Sequence, residues 1–227
     1  MGDVASSVLA RLKNKAKESG RSYQLCLQMF CQEEFLRRLE KSKYVDNLVL
    51  KGGLFIYSLT EFDSRVTVDV DFLLKRIPNT PEQLKRVVKE IISVETGNDF
   101  VTFEIKDVAP IAVAKKYAGI GVTLSGKIKN TRTPFSIDFG VGDVIVPKQE
   151  KRRIPTQLDD FKAPVINTYS IWVKLNNCEF YVSNEESFYK LADLLKGYII
   201  INQSYLRKHI CDSDGKKYVM PSKGVMF

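Results

Sequence analysis

Two aspartates with a single residue between them stand in an apolar segment, VTVDVDFLLK at residues 66–75. Successive side chains of a β-strand point to opposite faces of the sheet, so Asp69 and Asp71 share one face and the apolar residues beside them share the other. The strand rise puts the two aspartate Cα atoms about 6.5 to 7 Å apart. Carboxylates held so close repel each other and resist burial, and a divalent cation between them removes that cost. The pair therefore predicts a magnesium site, since this ion prefers oxygen ligands and adds water and phosphate to them.

A later segment, PFSIDFGVGD at residues 134–143, repeats the arrangement with a single carboxylate. Asp138 alternates with Ile137 and Phe139, so it lies on the face opposite these large apolar side chains. If the two strands are neighbours, Asp138 completes a cluster of three carboxylates. Such a cluster suits two-metal phosphoryl transfer, in which one ion activates the attacking oxygen and the other holds a triphosphate.

The segment LVLKGGLFIYSL, residues 48–59, offers a phosphate-binding element upstream of the aspartates. Gly52 and Gly53 stand where a strand is expected to give way to a helix, and glycines there let backbone N–H groups approach an anion. Lys51 adds a cation at the same point, and Arg65 is a second candidate phosphate ligand. Taken singly, these features also fit a turn, a solvated edge strand and surface cations. Their order and spacing together favour a site for a nucleotide and a metal ion.

The composition is that of a globular protein with a basic surface. Hydrophobic residues make up 44% and charged residues 27% of the 227 residues, and the formal net charge is +8. A positive charge favours polyanionic partners such as nucleic acid or a nucleoside triphosphate, although it also serves solubility. The four cysteines and the single histidine do not have zinc-site spacing. No apolar run approaches the roughly 20 residues of a membrane span, and no secretory signal is recognisable, so we expect a cytoplasmic protein without a membrane partner.

The elements that position these residues follow from the hydrophobic periodicity. Helices are predicted over residues 4–19 and 22–42, over two turns after Gly53, from Pro81 with Thr80 as N-cap, and from Ser183 to about Tyr198. Strands are predicted over residues 66–75, 100–107, 119–128 and 133–146. Residues 147–164 are predicted to form a basic loop punctuated by prolines. This order indicates a mixed α/β or α+β core with helical flanks.

In combination, the segments LVLKGGLFIYSL, SRVTVDVDFLL and PFSIDFGVGD resemble the AbiEii family of nucleotidyltransferase toxins. This family belongs to type IV toxin–antitoxin (abortive infection) systems and to the DNA polymerase β-like nucleotidyltransferase superfamily. The resemblance extends over about residues 8–170. It implies a mixed β-sheet flanked by helices, with a helical lead-in over residues 1–46 and a core with the metal and phosphate site over residues 47–150. A divergent or shortened helical C-terminal region over residues 151–227 would follow.

The resemblance also implies a role for each candidate residue. Gly52 and Gly53 would hold the phosphates of an incoming NTP, Asp69 and Asp71 would bind magnesium, and Asp138 would be the third carboxylate, which activates the acceptor hydroxyl. Members of the family transfer a nucleotide from an NTP to an acceptor. For some of them the acceptor is the 3′ end of tRNA, which blocks translation, and a cognate antitoxin accompanies the toxin.

After residue 170 the chain departs from the family's pattern. The helix expected there is displaced to EESFYKLADLL, where Lys190 would serve as the nucleotide-binding lysine. The same helix can equally be structural, with a solvated lysine. Three hypotheses follow: a magnesium-dependent nucleotidyltransferase that acts on RNA, a non-catalytic nucleotide- or RNA-binding descendant of the same fold, and a small-molecule nucleotidyltransferase that modifies aminoglycosides. The positive charge disfavours the last of these, because aminoglycosides are cations.

Overall fold

The computed structural model describes residues 3–59, 69–111, 119–141, 149–175, 178–182, 210–211 and 217–218. The helices are α1 (Val4–Ser19), α2 (Tyr23–Lys41), α3 (Gly52–Leu59) and α4 (Pro81–Ile92). The strands are β1 (Leu48–Lys51), β2 (Asp69–Leu74), β3 (Val101–Ile111), β4 (Gly119–Ile128), β5 (Thr131–Gly140), β6 (Glu150–Arg153), β7 (Val165–Thr168), β8 (Ile171–Leu175), β9 (Cys178–Val182), β10 (Ile210–Cys211) and β11 (Lys217–Tyr218). None of the described helices is both long enough and apolar enough to cross a membrane.

The chain forms two compact units, the first made of Met1–Val144 with Glu150–Thr168 and the second of Ile145–Gln149 with Tyr169–Phe227. The first unit is built on a seven-stranded sheet in the order β3-β4-β5-β2-β1-β7-β6. In this sheet β2 runs parallel to β5 and antiparallel to β1. The described strands of the second unit form two antiparallel pairs, β8 with β9 and β10 with β11. The predicted fold class, a mixed sheet flanked by helices, is confirmed.

The helices begin where the sequence predicts them. At the start of α4, the Thr80 side chain accepts the backbone N–H of Gln83 at 3.3 Å and Pro81 occupies the first turn. A cap of this kind contributes about 1 kcal/mol to helix stability. At its far end, α1 is followed by Gly20 with a φ of 68°, in the left-handed region that glycine tolerates.

One face of the sheet is apolar and carries α2 and α4. Phe72 of β2 stacks on Phe139 of β5 with 6.1 Å between ring centroids, and Phe35 of α2 lies 6.4 Å from Phe72. Burying a phenylalanine side chain stabilises a fold by about 1.5 to 3 kcal/mol, so this packing holds that face towards the helices. Because strand residues alternate, Asp69 and Asp71 are turned to the other face.

Helix α2 buries two glutamates and two arginines, which we call the α2 ion cluster: Glu33, Glu34, Arg37 and Arg38. Arg37 contacts Glu34 at 3.0 Å and Glu33 at 3.4 Å, and Arg38 contacts Glu34 at 3.3 Å. Further N–H groups of the same two guanidiniums donate to backbone carbonyls. Arg38 donates to a carbonyl of β3 at 2.7 Å, and Arg37 donates to a carbonyl in the loop after β6 at 2.8 Å. Every charge of the cluster thus has a partner of opposite charge within the chain, and the cluster joins α2 to distant segments.

The prediction of a loop over residues 147–164 was wrong in part, because Glu150–Arg153 form β6 and pair with β7. The sequence EKRR has no apolar alternation, and an edge strand that is exposed on alternate residues does not need one. Strands β7, β8 and β9 were not predicted either. The predicted helix from Ser183 to Tyr198 lies outside the described residues.

Candidate active site

Strand pairing brings the predicted carboxylates together on one face of the sheet. The parallel register of β2 and β5 sets Asp71 opposite Asp138 and Asp69 opposite Ser136. On the other side of β2, antiparallel β1 sets Lys51 opposite Asp71. Neighbouring strands are about 4.8 Å apart, so Lys51, Asp71 and Asp138 form a row across the sheet. Asp69 lies two residues before Asp71 on β2, on the same face. The two aspartate-bearing strands are therefore neighbours, as the three-carboxylate hypothesis requires.

The turn between β1 and α3 is built around the carboxylate of Asp71. Gly52 has a φ of 67°, and a Cβ atom placed on it would lie 2.7 Å from Cγ of Asp71. Gly53 donates its backbone N–H to the same carboxylate. A larger residue at position 52 would have to adopt a left-handed conformation and displace Asp71, which explains why glycine stands there. The glycine pair thus holds one of the aspartates directly.

The carboxylates lie in an environment that disfavours their negative charge. The pKa of Asp71 is raised to about 6, above all by burial and then by the charges of Asp138 and Asp69, while Lys51 and the Gly53 N–H lower it. The pKa of Asp138 is also raised, first by burial and then by Asp69. Among the described residues, three acids therefore share one lysine across this part of the sheet.

Lys51 is itself buried, with 5% of its surface exposed. Its Nζ lies 3.3 Å from the place that a Cβ on Gly140 would take, so glycine at the end of β5 leaves room for the ammonium group. Lysine is rarely buried unless it is paired, and here its charge lowers the pKa of Asp71. The structure thus shows Lys51 as a counter-charge within the carboxylate row.

The residue types fit magnesium, which binds carboxylate oxygens and relieves their repulsion. Within the described part of the chain, no group of three or more His, Cys, Asp or Glu side chains is arranged so that it could hold a metal ion. The fit therefore depends on the face that the three carboxylates share and on the register that sets Asp71 opposite Asp138.

One neighbour of the site was not singled out by its sequence. Gly121 of β4 stands opposite Asp138, and a Cβ atom on it would lie 3.3 Å from Oδ1 of that aspartate. A glycine inside a predicted strand indicates that another group approaches the backbone closely, and Gly121 is such a glycine in the predicted strand segment GIGVTL. Arg65 and Lys190, the other candidate phosphate ligands, lie outside the described residues, and their contacts with nucleotide stay predictions.

The family model described as "Nucleotidyl transferase AbiEii toxin, Type IV TA system" matches residues 34–171. This range is more than half of the 227 residues and includes Lys51, both aspartates of β2 and Asp138. Two crystal structures are similar to the chain, one of a candidate nucleotidyltransferase from H. pylori and one of JHP933 from Helicobacter pylori. Each is 16% identical with a TM-score of 0.38, over 78% of this chain and 70% or 68% of the other. No curated protein matches.

Proposed function

Because this chain belongs to the AbiEii family of nucleotidyl transferase toxins, we propose that it transfers a nucleotide from an NTP to RNA, at the 3′ end of tRNA, with magnesium as cofactor. The observation that carries the proposal is the register that sets Asp71 beside Asp138, next to the turn formed by Gly52 and Gly53. In this proposal the protein is the toxin of a toxin–antitoxin or abortive-infection system, and a cognate antitoxin is its partner.

In the proposed reaction Asp69, Asp71 and Asp138 hold magnesium. When bound, magnesium neutralises the triphosphate and makes the acceptor hydroxyl more acidic. Asp138, as a carboxylate, takes the proton of that hydroxyl. The hydroxyl oxygen then bonds to the α-phosphorus of the NTP, and the bond from this phosphorus to pyrophosphate breaks.

The phosphates of the NTP are bound, in the same proposal, at the start of α3. The N-terminal end of a helix carries a partial positive charge and offers free backbone N–H groups. Gly52 and Gly53 stand at this helix start, directly after Lys51, and the Gly53 N–H donates to the Asp71 carboxylate beside the proposed phosphate position. Arg65 and Lys190 are proposed as additional phosphate ligands.

The proposal is tested by incubating the protein with each labelled NTP in turn, with magnesium and total tRNA. The wild type should label tRNA with at least one NTP. Asp138→Asn should lower the rate by about 10²- to 10⁴-fold, the usual contribution of a general base. Asp159→Asn, which changes an exposed aspartate in the loop after β6, is the matched control and should keep full activity. No label from any of the four NTPs would contradict the proposal.

One observation favours the second candidate, a non-catalytic RNA-binding descendant of the fold. No group of three metal-ligating side chains in the described ranges is arranged to hold an ion. This candidate predicts RNA binding that weakens with salt, without nucleotide transfer. The same incubations therefore separate the two functions, and labelling of an aminoglycoside in preference to tRNA would instead support a small-molecule transferase.

A further inference from the structure

The face that carries the carboxylates continues along β4 and β5 as a strip of small side chains. We call this strip the polar lane: Thr123, Ser125, Pro134 and Ser136. Thr123 stands opposite Ser136, and Ser125 stands opposite Pro134. These four residues carry no charge, and the strip ends two residues before Asp138 on β5; Pro134 is exposed, Thr123 and Ser136 are half-buried, and Ser125 is buried between its neighbours. Helices α2 and α4 pack on the opposite face of the sheet, so neither of them lies over the lane.

Two positively charged side chains lie at the end of the lane next to the β4–β5 turn. Lys127 of β4 and Arg132 of β5 are directly opposite each other, and both are exposed. Like charges at directly opposite positions destabilise an antiparallel pair. The fold itself therefore gains nothing from this pair, and a ligand with negative charge would relieve its repulsion.

The surrounding charges do not balance the pair. Glu104 of the neighbouring strand β3 forms an ion pair with Lys106, with 2.6 Å between Nζ and Oε2. The hydrogen bond and the charge of Lys106 are the main reason why the pKa of Glu104 is lowered, and the charges of Arg132 and Lys127 lower it less. Asp107 of β3 stands opposite Thr123 of the lane, so Lys106, Lys127 and Arg132 face two acids, Glu104 and Asp107, and one positive charge is in excess among them. The corner is positive, while the other end of the lane is negative at its carboxylates.

We propose that the polar lane and the Lys127–Arg132 pair bind the backbone of a single-stranded RNA whose 3′ end reaches Asp138. The inference rests on the proposed transfer to RNA. Two observations support it. RNA phosphates would neutralise the Lys127–Arg132 pair, and the lane leads from this pair to the carboxylates. The lane is two strands wide, which suits one nucleic-acid strand.

The spacing along β5 sets the length of acceptor that contacts both ends of the lane. Arg132 and Asp138 are six residues apart, which is about 20 Å at the rise of a β-strand. A stacked nucleic-acid strand advances about 3.4 Å per nucleotide, so about six nucleotides span this distance. An acceptor of twelve nucleotides therefore contacts the basic pair, whereas a trinucleotide at Asp138 does not.

The test compares the wild type with Lys127→Gln/Arg132→Gln on a 12-nucleotide RNA and on the trinucleotide from its 3′ end. Binding of the fluorescently labelled 12-mer should weaken about tenfold at low salt. Its slope of log K against log salt should shrink by about 1.4, the value for two phosphate contacts on a single strand. Transfer to the trinucleotide should stay unchanged. The melting temperature should not fall, because the double variant removes a repulsive pair.

Lys85→Gln/Arg86→Gln is the matched control, since it removes two exposed charges from α4, which packs on the opposite face. It should leave the binding of the 12-mer and its salt slope as in the wild type. Equal losses in both double variants, or an unchanged Kd and slope for Lys127→Gln/Arg132→Gln, would overturn the inference. Failure of the proposed function gives a different result, in which the wild type transfers no nucleotide to either RNA although 12-mer binding still depends on the pair.

Discussion

Two groups of charged side chains, one buried and one half-buried, differ in the ratio of positive to negative charge among the described residues. In the α2 ion cluster, two arginines contact two glutamates within 3.4 Å. In the carboxylate row, three half-buried aspartates share one face of the sheet with one buried lysine among the described residues. A cluster that is complete within the chain joins parts of the fold. Where three acids share one lysine among the described residues, a bound cation would lower the repulsion between the acids, so this row is the better candidate for a ligand site.

The largest effect is expected from Glu34→Ala in the balanced cluster. The substitution leaves Arg37 and Arg38 buried without their common partner, which costs about 3 to 5 kcal/mol of unfolding free energy. Denaturant titration measures it. Glu18→Ala, on the exposed side of α1, should change stability by less than about 0.5 kcal/mol. Equal effects of the two variants would mean that the α2 ion cluster does not join the fold together.

The pH dependence of stability tests whether Glu33, in the α2 ion cluster, carries a proton in the folded state. Burial, opposed by Arg37, raises the pKa of Glu33 from 4.5 to about 7. The folded state therefore binds this proton more tightly, so the stabilisation is complete below about pH 4.5 and is lost as the pH rises through about 7. The loss is at most about 3 kcal/mol. Glu33→Gln should flatten the pH dependence of the unfolding free energy between pH 4.5 and 7. The same slope in both proteins would show that Arg37 keeps Glu33 ionised.

Magnesium should act on the carboxylate row alone. At a concentration 100 times its Kd, an ion that binds only the folded state adds about 2.7 kcal/mol of stability. We expect magnesium to raise the melting temperature of the wild type and of Glu34→Gln, but not that of Asp71→Asn/Asp138→Asn. This measurement needs neither NTP nor RNA. A magnesium effect that survives the double substitution would place the ion elsewhere in the chain.

The smallest effect is expected from Asp71→Asn without magnesium. The amide removes one charge from a row of crowded acids and still accepts the Gly53 N–H. Stability at pH 7 should therefore stay the same or rise by up to about 1 kcal/mol, while nucleotide transfer is lost. A marked loss of stability in chemical denaturation would show that the ionised form of Asp71 holds the β1–α3 turn, as Glu34 holds α2.

Some of the candidate site follows from local patterns. The alternation in VTVDVDFLLK puts Asp69 and Asp71 on one face, and the glycine pair marks the change from β1 to α3. The α2 ion cluster is different. Its sequence, EEFLRR, reads as part of an amphipathic helix, and it is buried only because carbonyls from β3 and from the loop after β6 pack on it. Those partners are distant in the chain, so no local pattern predicts the burial.

The sequence alone determined which residues carry charge and which face of each strand they occupy, because side-chain alternation and helix capping are local properties. Only the tertiary structure decided which strands are neighbours. The pairing of β2 with both β1 and β5 sets Lys51 and Asp138 on either side of Asp71, so that, among the described residues, three aspartates and one lysine meet on one face. Pairing between distant strands depends on packing across the whole sheet, which is why the imbalance becomes visible only in the fold.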